Sequence, residues 1–319
     1  MGRSSAIGTF PSIVKRLTAG LAVIGALCLV ATSGGGGGAA GESRARVPAG
    51  FPHPSRVAVM VLENRSYRQV IGSAHAPYLN RLARRHALAT NYFAITHPSL
   101  PNYIALTTGT TGEVTGNCSS CDTGLPSLVN QLDSRHISWR AYFESIPKNA
   151  AVSVTRAGRY NKHYNPFVYS DRVSDSPRAR SKVVWFSRLR RDLAGHRLPR
   201  FSWIAPNVRH DGHNHALRGA DAFAARTVPK VLHALGPRGV LYLTWDEGIR
   251  RDHAGVGGSP GGGHIALIAA GGAARRGATT SVPANHYALL RTLEANFGLP
   301  ALGKAGSAST PLLGGLLKD

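Results

Sequence analysis

Residues 57–67 read VAVMVLENRSY: six apolar residues that run straight into a carboxylate, Glu63, and an amide, Asn64. An unbroken apolar run of this length is the pattern of a strand buried on both faces, as in a parallel sheet covered by helices. Further strand candidates, apolar for the most part, are Ala89–Ile95, Ser138–Phe143, Phe201–Ala205, Val240–Trp245 and Ile265–Ala270. Helical spacing fills Ala76–His86, Leu100–Thr108, Ser127–Arg135, Val183–Ala194 and Ala220–Leu235. A last helix, Asn285–Asn296, closes on Phe297 and Gly298, a stop signal. This alternation predicts an α/β fold, a single domain with a central, mostly parallel sheet flanked by helices. The stretch 145–182 reads as a polar, irregular insertion near a functional face. Ligands of such sheets sit at the carboxyl ends of the strands, so the strand ends are where function should be sought.

Composition narrows the class. With 319 residues, 43% hydrophobic and 17% charged, the chain can bury a large core and is neither a disordered polyelectrolyte nor a membrane bundle. Lys and Arg number 38 against 16 Asp and Glu, a net +22 that invites an anionic partner. The cations are scattered and not interleaved with aromatics, so no specific nucleic-acid partner is expected. Arg3, Lys15 and Arg16 precede the apolar stretch Leu17–Val30 and the small residues Ala31–Ser33. That order predicts an export signal over 1–33, a Gly/Ala-rich linker over 34–50 and one domain over 51–319, secreted or held at the cell surface. An uncleaved N-terminal anchor is the alternative; past residue 33 no apolar run is long enough to span a bilayer. Cys118 and Cys121, spaced as CSSC, are expected to form a local disulfide outside the cell. One pair cannot close a four-cysteine zinc site, and a redox role lacks the surrounding thioredoxin-like pattern.

Four strand ends carry polar chemistry. Glu63 and Asn64 can give oxygen ligands to a divalent cation, or cap the next helix. In THPSLPNY (96–103), Ser99 opens a helical run with Pro101 in its first turn. It is either an ordinary N-cap or a hydroxyl at the positive helix end, beside free N–H groups that hold phosphate oxygens. PNVRHDGHNH (206–215) gathers three histidines, Asp211 and two asparagines, groups that bind metal or phosphate and move protons near neutral pH. In LYLTWDEG (241–248), Asp246 and Glu247 stand side by side, and a bound cation would offset their repulsion; a polar turn is the alternative. The glycine-rich GVGGSPGGGH (255–264) lacks the Gly-Lys-Ser/Thr ending of a P-loop and reads as a flexible flap. In a chain so poor in carboxylates, four such clusters favour one metal site.

In this order, ENRSY, HPSLPNY, PNVRHDGHNH and TWDEG resemble the bacterial acid phosphatase and phospholipase C phosphoesterase family of the alkaline phosphatase-like superfamily. The likeness extends to the closing NHYALLRTLEANFGLP (285–300). The resemblance implies that Ser99 is the nucleophile and that Glu63, Asn64, Asp246 and Glu247, together with Ser99, hold a divalent cation. It also implies that His213 contacts phosphate or the leaving group. His163, in NKHYNPF, resembles a family segment in which His-His or His-Asn precedes Pro, here interrupted by Tyr164, and is a further candidate catalytic residue. Asn102, His210 and Asp211 are the candidate substrate-binding residues, and His264 is a possible additional ligand. Oxygen ligands suit magnesium, calcium or manganese, whereas added histidines would permit zinc. ENRSYR departs from many phospholipase-like members, which carry Phe then Asp where this chain has Tyr67 and Arg68.

The expected activity is hydrolysis of phosphate monoesters through a phosphoseryl intermediate, acting on a small phosphate ester or a lipid headgroup. A phosphodiesterase or phospholipase C-type hydrolase is the alternative within the class. Outside it stands a secreted anion-binding protein on the same scaffold, against which speaks the nucleophile that a binder does not need.

Overall fold

A computed structural model of the chain describes residues 46–147, 156–213 and 215–318. The export signal and most of the linker lie outside the described residues. The strands are β1 (Arg56–Leu62), β2 (Ala87–Phe93), β3 (Trp139–Phe143), β4 (Arg156–Ala157), β5 (Tyr160–Asn161), β6 (Val183–Trp185), β7 (Phe201–Ala205), β8 (Gly239–Trp245), β9 (His264–Ala270), β10 (Thr279–Thr280) and β11 (Ala284–Asn285). The helices are α1 (Tyr67–Val70), α2 (Pro77–Arg85), α3 (Ser99–Thr108), α4 (Leu128–Ser134), α5 (Asp171–Ser174), α6 (Pro177–Arg180), α7 (Phe186–Ala194), α8 (Leu217–Leu235) and α9 (His286–Phe297).

One sheet runs in the order β10-β2-β9-β8-β1-β7-β3-β6, with β11 also paired to β2; β4 and β5 form a separate hairpin. Strand β1 lies between β7 and β8 and is parallel to both. The chain is buried throughout Val57–Leu62, Phe201–Ala205 and Gly239–Trp245, as continuous apolar runs require when helices cover both faces. Strand β9 is antiparallel to β8 and β2, so the sheet is mostly but not wholly parallel. Register then fixes the site: Leu62 pairs with Trp245, which sets Glu63 beside Asp246 at the carboxyl ends of the two strands. The Asp246 N–H donates to Leu62 O at 3.0 Å and carries the ladder one residue further.

Two local readings change. Val183–Ala194 is not one helix, because β-branched Val183 and Val184 pair with β3 as an edge strand before α7 begins. The 145–182 insertion is not merely polar, since Tyr160, Tyr164, Phe167, Val168 and Tyr169 are buried in the core. It packs on the loop closed by the Cys118–Cys121 disulfide: Tyr169 Oη donates to Cys118 O at 2.8 Å and Lys162 Nζ to Ser119 O at 2.6 Å. Helix α9 ends as expected, on Gly298 at φ 64°.

Glu294, on the inner side of α9, is 1% exposed; Oε1 accepts from Leu302 N at 2.9 Å and Oε2 has no hydrogen-bond partner among the described residues. Burial raises its pKa from 4.5 to about 9. The folded state therefore keeps a proton that the unfolded chain gives up, and stability is lost as pH rises from about 4.5 through about 9. Glu294→Gln, which mimics the protonated acid, should flatten that part of the profile. The slope it removes is up to about 1.4 kcal/mol per pH unit, measured by urea unfolding between pH 5 and 9. An unchanged slope would place the pH dependence elsewhere.

Candidate active site

Four carboxylates converge where β1, β7 and β8 end. Glu63 is 1% exposed, Asp211 and Asp246 0%, and Glu247 4%. The main chain ties them together: Glu63 N donates to Asp211 O at 2.9 Å, and Asn64 N to Asp246 Oδ1 at 3.1 Å. Burial, then the charges of Asp246 and Asp211, push the Glu63 carboxyl well above its ordinary range. Asp246 is raised well above its own by burial and by the neighbouring Glu247. Asp211 is raised mainly by burial.

Ser99 faces this patch. It is the first residue of α3, with Pro98 at the N-cap, so its hydroxyl does not cap the helix. Ser99 Oγ lies 3.3 Å from both Glu63 Oε2 and Glu247 Oε1, one hydroxyl proton between two carboxylates. Asn64 Nδ2 donates to Glu247 Oε1 and the Tyr103 hydroxyl to Glu63 Oε1. The helix start offers phosphate fewer N–H groups than expected, because Leu100 N is bonded to Asn117 Oδ1 at 3.0 Å and Pro101 has none.

Fit to a cation can be tested on the donors. Among the described residues, no three His, Cys, Asp or Glu side chains stand arranged around a common point as a metal cage. Asn64 and Ser99 instead bridge the acids. Asn64 Oδ1 and Asp246 Oδ2 are buried with no hydrogen-bond partner among the described residues, although buried polar atoms are rarely left so. Oxygen atoms of Glu63, Asn64, Ser99, Asp246 and Glu247 are thus a set that a hard divalent cation suits.

The other expected residues are placed unevenly. Asn102 is fully buried, and all its polar positions are engaged: Oδ1 accepts from Ile95 N at 2.8 Å and Thr96 N at 3.2 Å. Its Nδ2 donates to Thr96 O at 2.7 Å and Pro98 O at 3.1 Å. It clamps the turn that presents Ser99 instead of reaching substrate. His210 is drawn to Glu144, 2.9 Å from Oε2, with its ring stacked on Phe223. His264 stacks on Tyr67 with ring centres 4.5 Å apart, its Nε2 2.9 Å from Thr90 O; it joins the aromatic packing, not the acids. His213 is exposed, its backbone N–H held by Asp211 Oδ1 at 2.8 Å. His163 is half-buried at the start of a short turn. Its neighbour Tyr164 reaches the site, with its ring 6.0 Å from Tyr103 and its hydroxyl pKa pushed up by burial and by the charges of Glu63 and Asp211.

The glycine-rich segment is exposed over 257–260 but packed where it meets the turn before Ser99. A Cβ on Gly262 would fall 2.2 Å from Thr96 O, so only glycine lets this backbone lie against the turn before Ser99. Asp252 anchors the segment: its Oδ2 is 2.5 Å from Ser66 Oγ and accepts from His264 N at 3.3 Å.

Several site residues carried no role in the sequence. His97 Nδ1 is 2.6 Å from Glu247 Oε2 and Nε2 is 2.9 Å from Asp252 O. Acceptors on both sides favour the doubly protonated ring, and the hydrogen bond to Glu247 raises its pKa. His286 is buried with Nε2 2.6 Å from Asp246 O and Nδ1 3.0 Å from the Tyr92 hydroxyl. Burial lowers its pKa to about 4, so the neutral ring donates to the carbonyl of Asp246 and accepts from Tyr92. Tyr103 had a signal, its i+4 spacing from Ser99 on one helix face; His286 had none beyond the closing motif.

Comparison with known proteins places this α/β sheet, with a serine facing buried acids at its carboxyl edge, among the phosphoric ester hydrolases. Residues 73–300 match the Phosphoesterase family, to which the chain belongs. A Mycobacterium tuberculosis protein named Phosphatidylinositol-3-phosphatase is 32% identical over 92% of this chain and 93% of its own length. The Phosphate-repressible acid phosphatase of Penicillium chrysogenum is 29% identical over 56% of this chain, which spans only 43% of that protein. Among solved structures, a Vibrio parahaemolyticus protein of the alkaline phosphatase superfamily superposes with a TM-score of 0.56 at 14% identity, over 79% of this chain and 69% of its own. A Pseudoalteromonas sulfatase gives 0.55 at 13%, over 84% and 72%. At such identities these two speak for the fold alone.

The clamp makes a prediction. Asn102→Ala strands the Ile95 and Thr96 N–H groups, at a cost on the order of 1–3 kcal/mol each. Urea unfolding should therefore show a loss of stability beside any loss of activity. A variant as stable as the parent would return Asn102 to a substrate-binding role.

Proposed function

We propose that the chain hydrolyses phosphate monoesters through a phosphoseryl intermediate on Ser99. The observation that carries this reading is the buried Ser99 hydroxyl, at the start of a helix and 3.3 Å from two carboxylates of a four-acid cluster. Ser99 Oγ attacks phosphorus, and Glu63 Oε2 and Glu247 Oε1 are the near acceptors for its proton. Asn64 and Tyr103 fix those two carboxylates so that the serine meets them in one geometry. Glu63, Asn64, Ser99, Asp246 and Glu247 would hold a divalent cation, which when bound would supply positive charge that lowers the serine pKa and offsets charge on the phosphate oxygens. With His210 on Glu144 and His264 against Thr90 O, oxygen donors dominate, which supports magnesium, manganese or calcium over zinc. His213, exposed beside the acids, protonates the leaving oxygen, and water then releases phosphate from the serine. The mycobacterial relative's name, Phosphatidylinositol-3-phosphatase, supports a monoester substrate. Export over residues 1–33 belongs to the same reading and is supported by the Cys118–Cys121 disulfide, a bond that persists in oxidising compartments.

Purified protein assayed on p-nitrophenyl phosphate and bis-p-nitrophenyl phosphate tests this directly. The monoester should be the better substrate, chelation should abolish turnover, and added magnesium or manganese should restore it. Ser99→Ala should lose at least about 10³-fold in kcat, as expected for a nucleophile acting with its surrounding groups. Full activity in that variant would remove Ser99 from the role. Turnover by demonstrably metal-free protein would remove the cation.

A further inference from the structure

A cleft of about 620 Å³ is lined by Arg65, the residue after Asn64, and by Arg68, Gln69, Ser73, His75 and Arg218 among others. No carboxylate lines it. Among the described residues, none of its three arginines forms an ion pair. Asp221, three residues beyond Arg218, is already engaged, accepting from Tyr78 N at 3.1 Å and Leu79 N at 2.8 Å at the start of α2. The 19-residue helix α8 begins in the cleft wall at Leu217 with no acid in its first turn, so its positive end adds to the same field. Gathering these charges in one concavity costs Coulomb energy that a bound anion would relieve.

The cleft is tied to the site. Arg65 directly follows Asn64; its Nε donates to Gly212 O at 2.8 Å and its Nη2 to His215 O at 3.1 Å, so it holds the loop that carries His213. Arg68 is four residues from Asn64, which bounds their Cα separation at about 14 Å even for extended chain. Arg68 and Arg218 are both exposed, and Arg218 is oriented by its Nε bond to His75 Nδ1 at 3.0 Å. Arg65 thus joins the cleft to the loop beside the acids, and Arg68 and Arg218 line the same cleft.

We propose that this cleft binds a second phosphate group of the substrate, monoester or diester, through Arg68 and Arg218, so that the preferred substrates carry two phosphates. The proposal rests on the phosphomonoesterase reading for its catalytic test, and on binding for an independent one. The double variant Arg68→Ser/Arg218→Ser should raise KM for inositol 1,3-bisphosphate about tenfold and leave KM for p-nitrophenyl phosphate unchanged. The same measurement on phosphatidylinositol 3-phosphate in phosphatidylcholine vesicles separates the sources. A rise with both assigns the cleft to the phosphate itself, whereas a rise confined to vesicles assigns the effect to the membrane surface and overturns the proposal. Arg85→Ser/Arg276→Ser, which removes the same charge around a different cavity, should change none of these values. Equal KM in parent and double variant for both two-phosphate substrates, or equal effects of the two double variants, would overturn the proposal. Calorimetry of inositol 1,3-bisphosphate on the Ser99→Ala background needs no turnover: about tenfold weaker binding on loss of Arg68 and Arg218 supports the cleft, and equal binding overturns it. Failure of the parent to hydrolyse p-nitrophenyl phosphate would instead strike the phosphomonoesterase reading and leave the calorimetric result standing.

Discussion

The burial of like charges at the end of β1 is the constraint around which the rest is organised. Glu63, Asp211, Asp246 and Glu247 lie within one nearly solvent-free patch. Taking even one carboxylate out of water costs several kcal/mol unless it is paired or protonated, and neighbouring carboxylates push Glu63 and Asp246 up further still. Such an arrangement persists only if the surrounding fold over-determines it. Here the β1–β8 register holds two of the acids, Tyr103 and Asn64 brace two carboxylates, and His97 faces Glu247. His286 pins the carbonyl of Asp246 from α9, the last helix of the chain.

That bracing explains which parts were legible. The paired strands announced themselves because burial on both faces demands unbroken apolar runs, and the acids were visible because a strand that ends in Glu63–Asn64 or Asp246–Glu247 breaks its own pattern abruptly. Boundaries were less visible: Val183–Trp185 is short enough that its β-branched residues merged with the helix behind it. The roles of side chains were least visible of all. Asn102 and Ser99 stand three residues apart in one motif, yet one faces the carboxylates and the other closes four hydrogen bonds to backbone, a difference set by the fold of residues 94–98. His210 and His213 are as close in sequence and part in the same way, toward Glu144 and toward solvent.

Composition also acquires a structural sense. A chain with 38 cations and 16 acids gathers four of those acids into its site, while at least three arginines border the loop beside them without an ion pair among the described residues. The buried patch is negative and its rim positive. A phosphate ester approaching the rim is attracted, but a bare cluster of carboxylates would repel it at the centre. The donor atoms themselves argue for a way through: Asn64 Oδ1 and Asp246 Oδ2 are buried without hydrogen-bond partners, as ligand atoms of a cation would be. A cation there would turn the centre from repulsive to attractive, and the buried acids would then serve affinity for phosphate by way of their affinity for metal. The stability sacrificed in burying them is therefore intelligible as a property of the site and not of the core, where the buried Glu294 meets a comparable problem by keeping its proton.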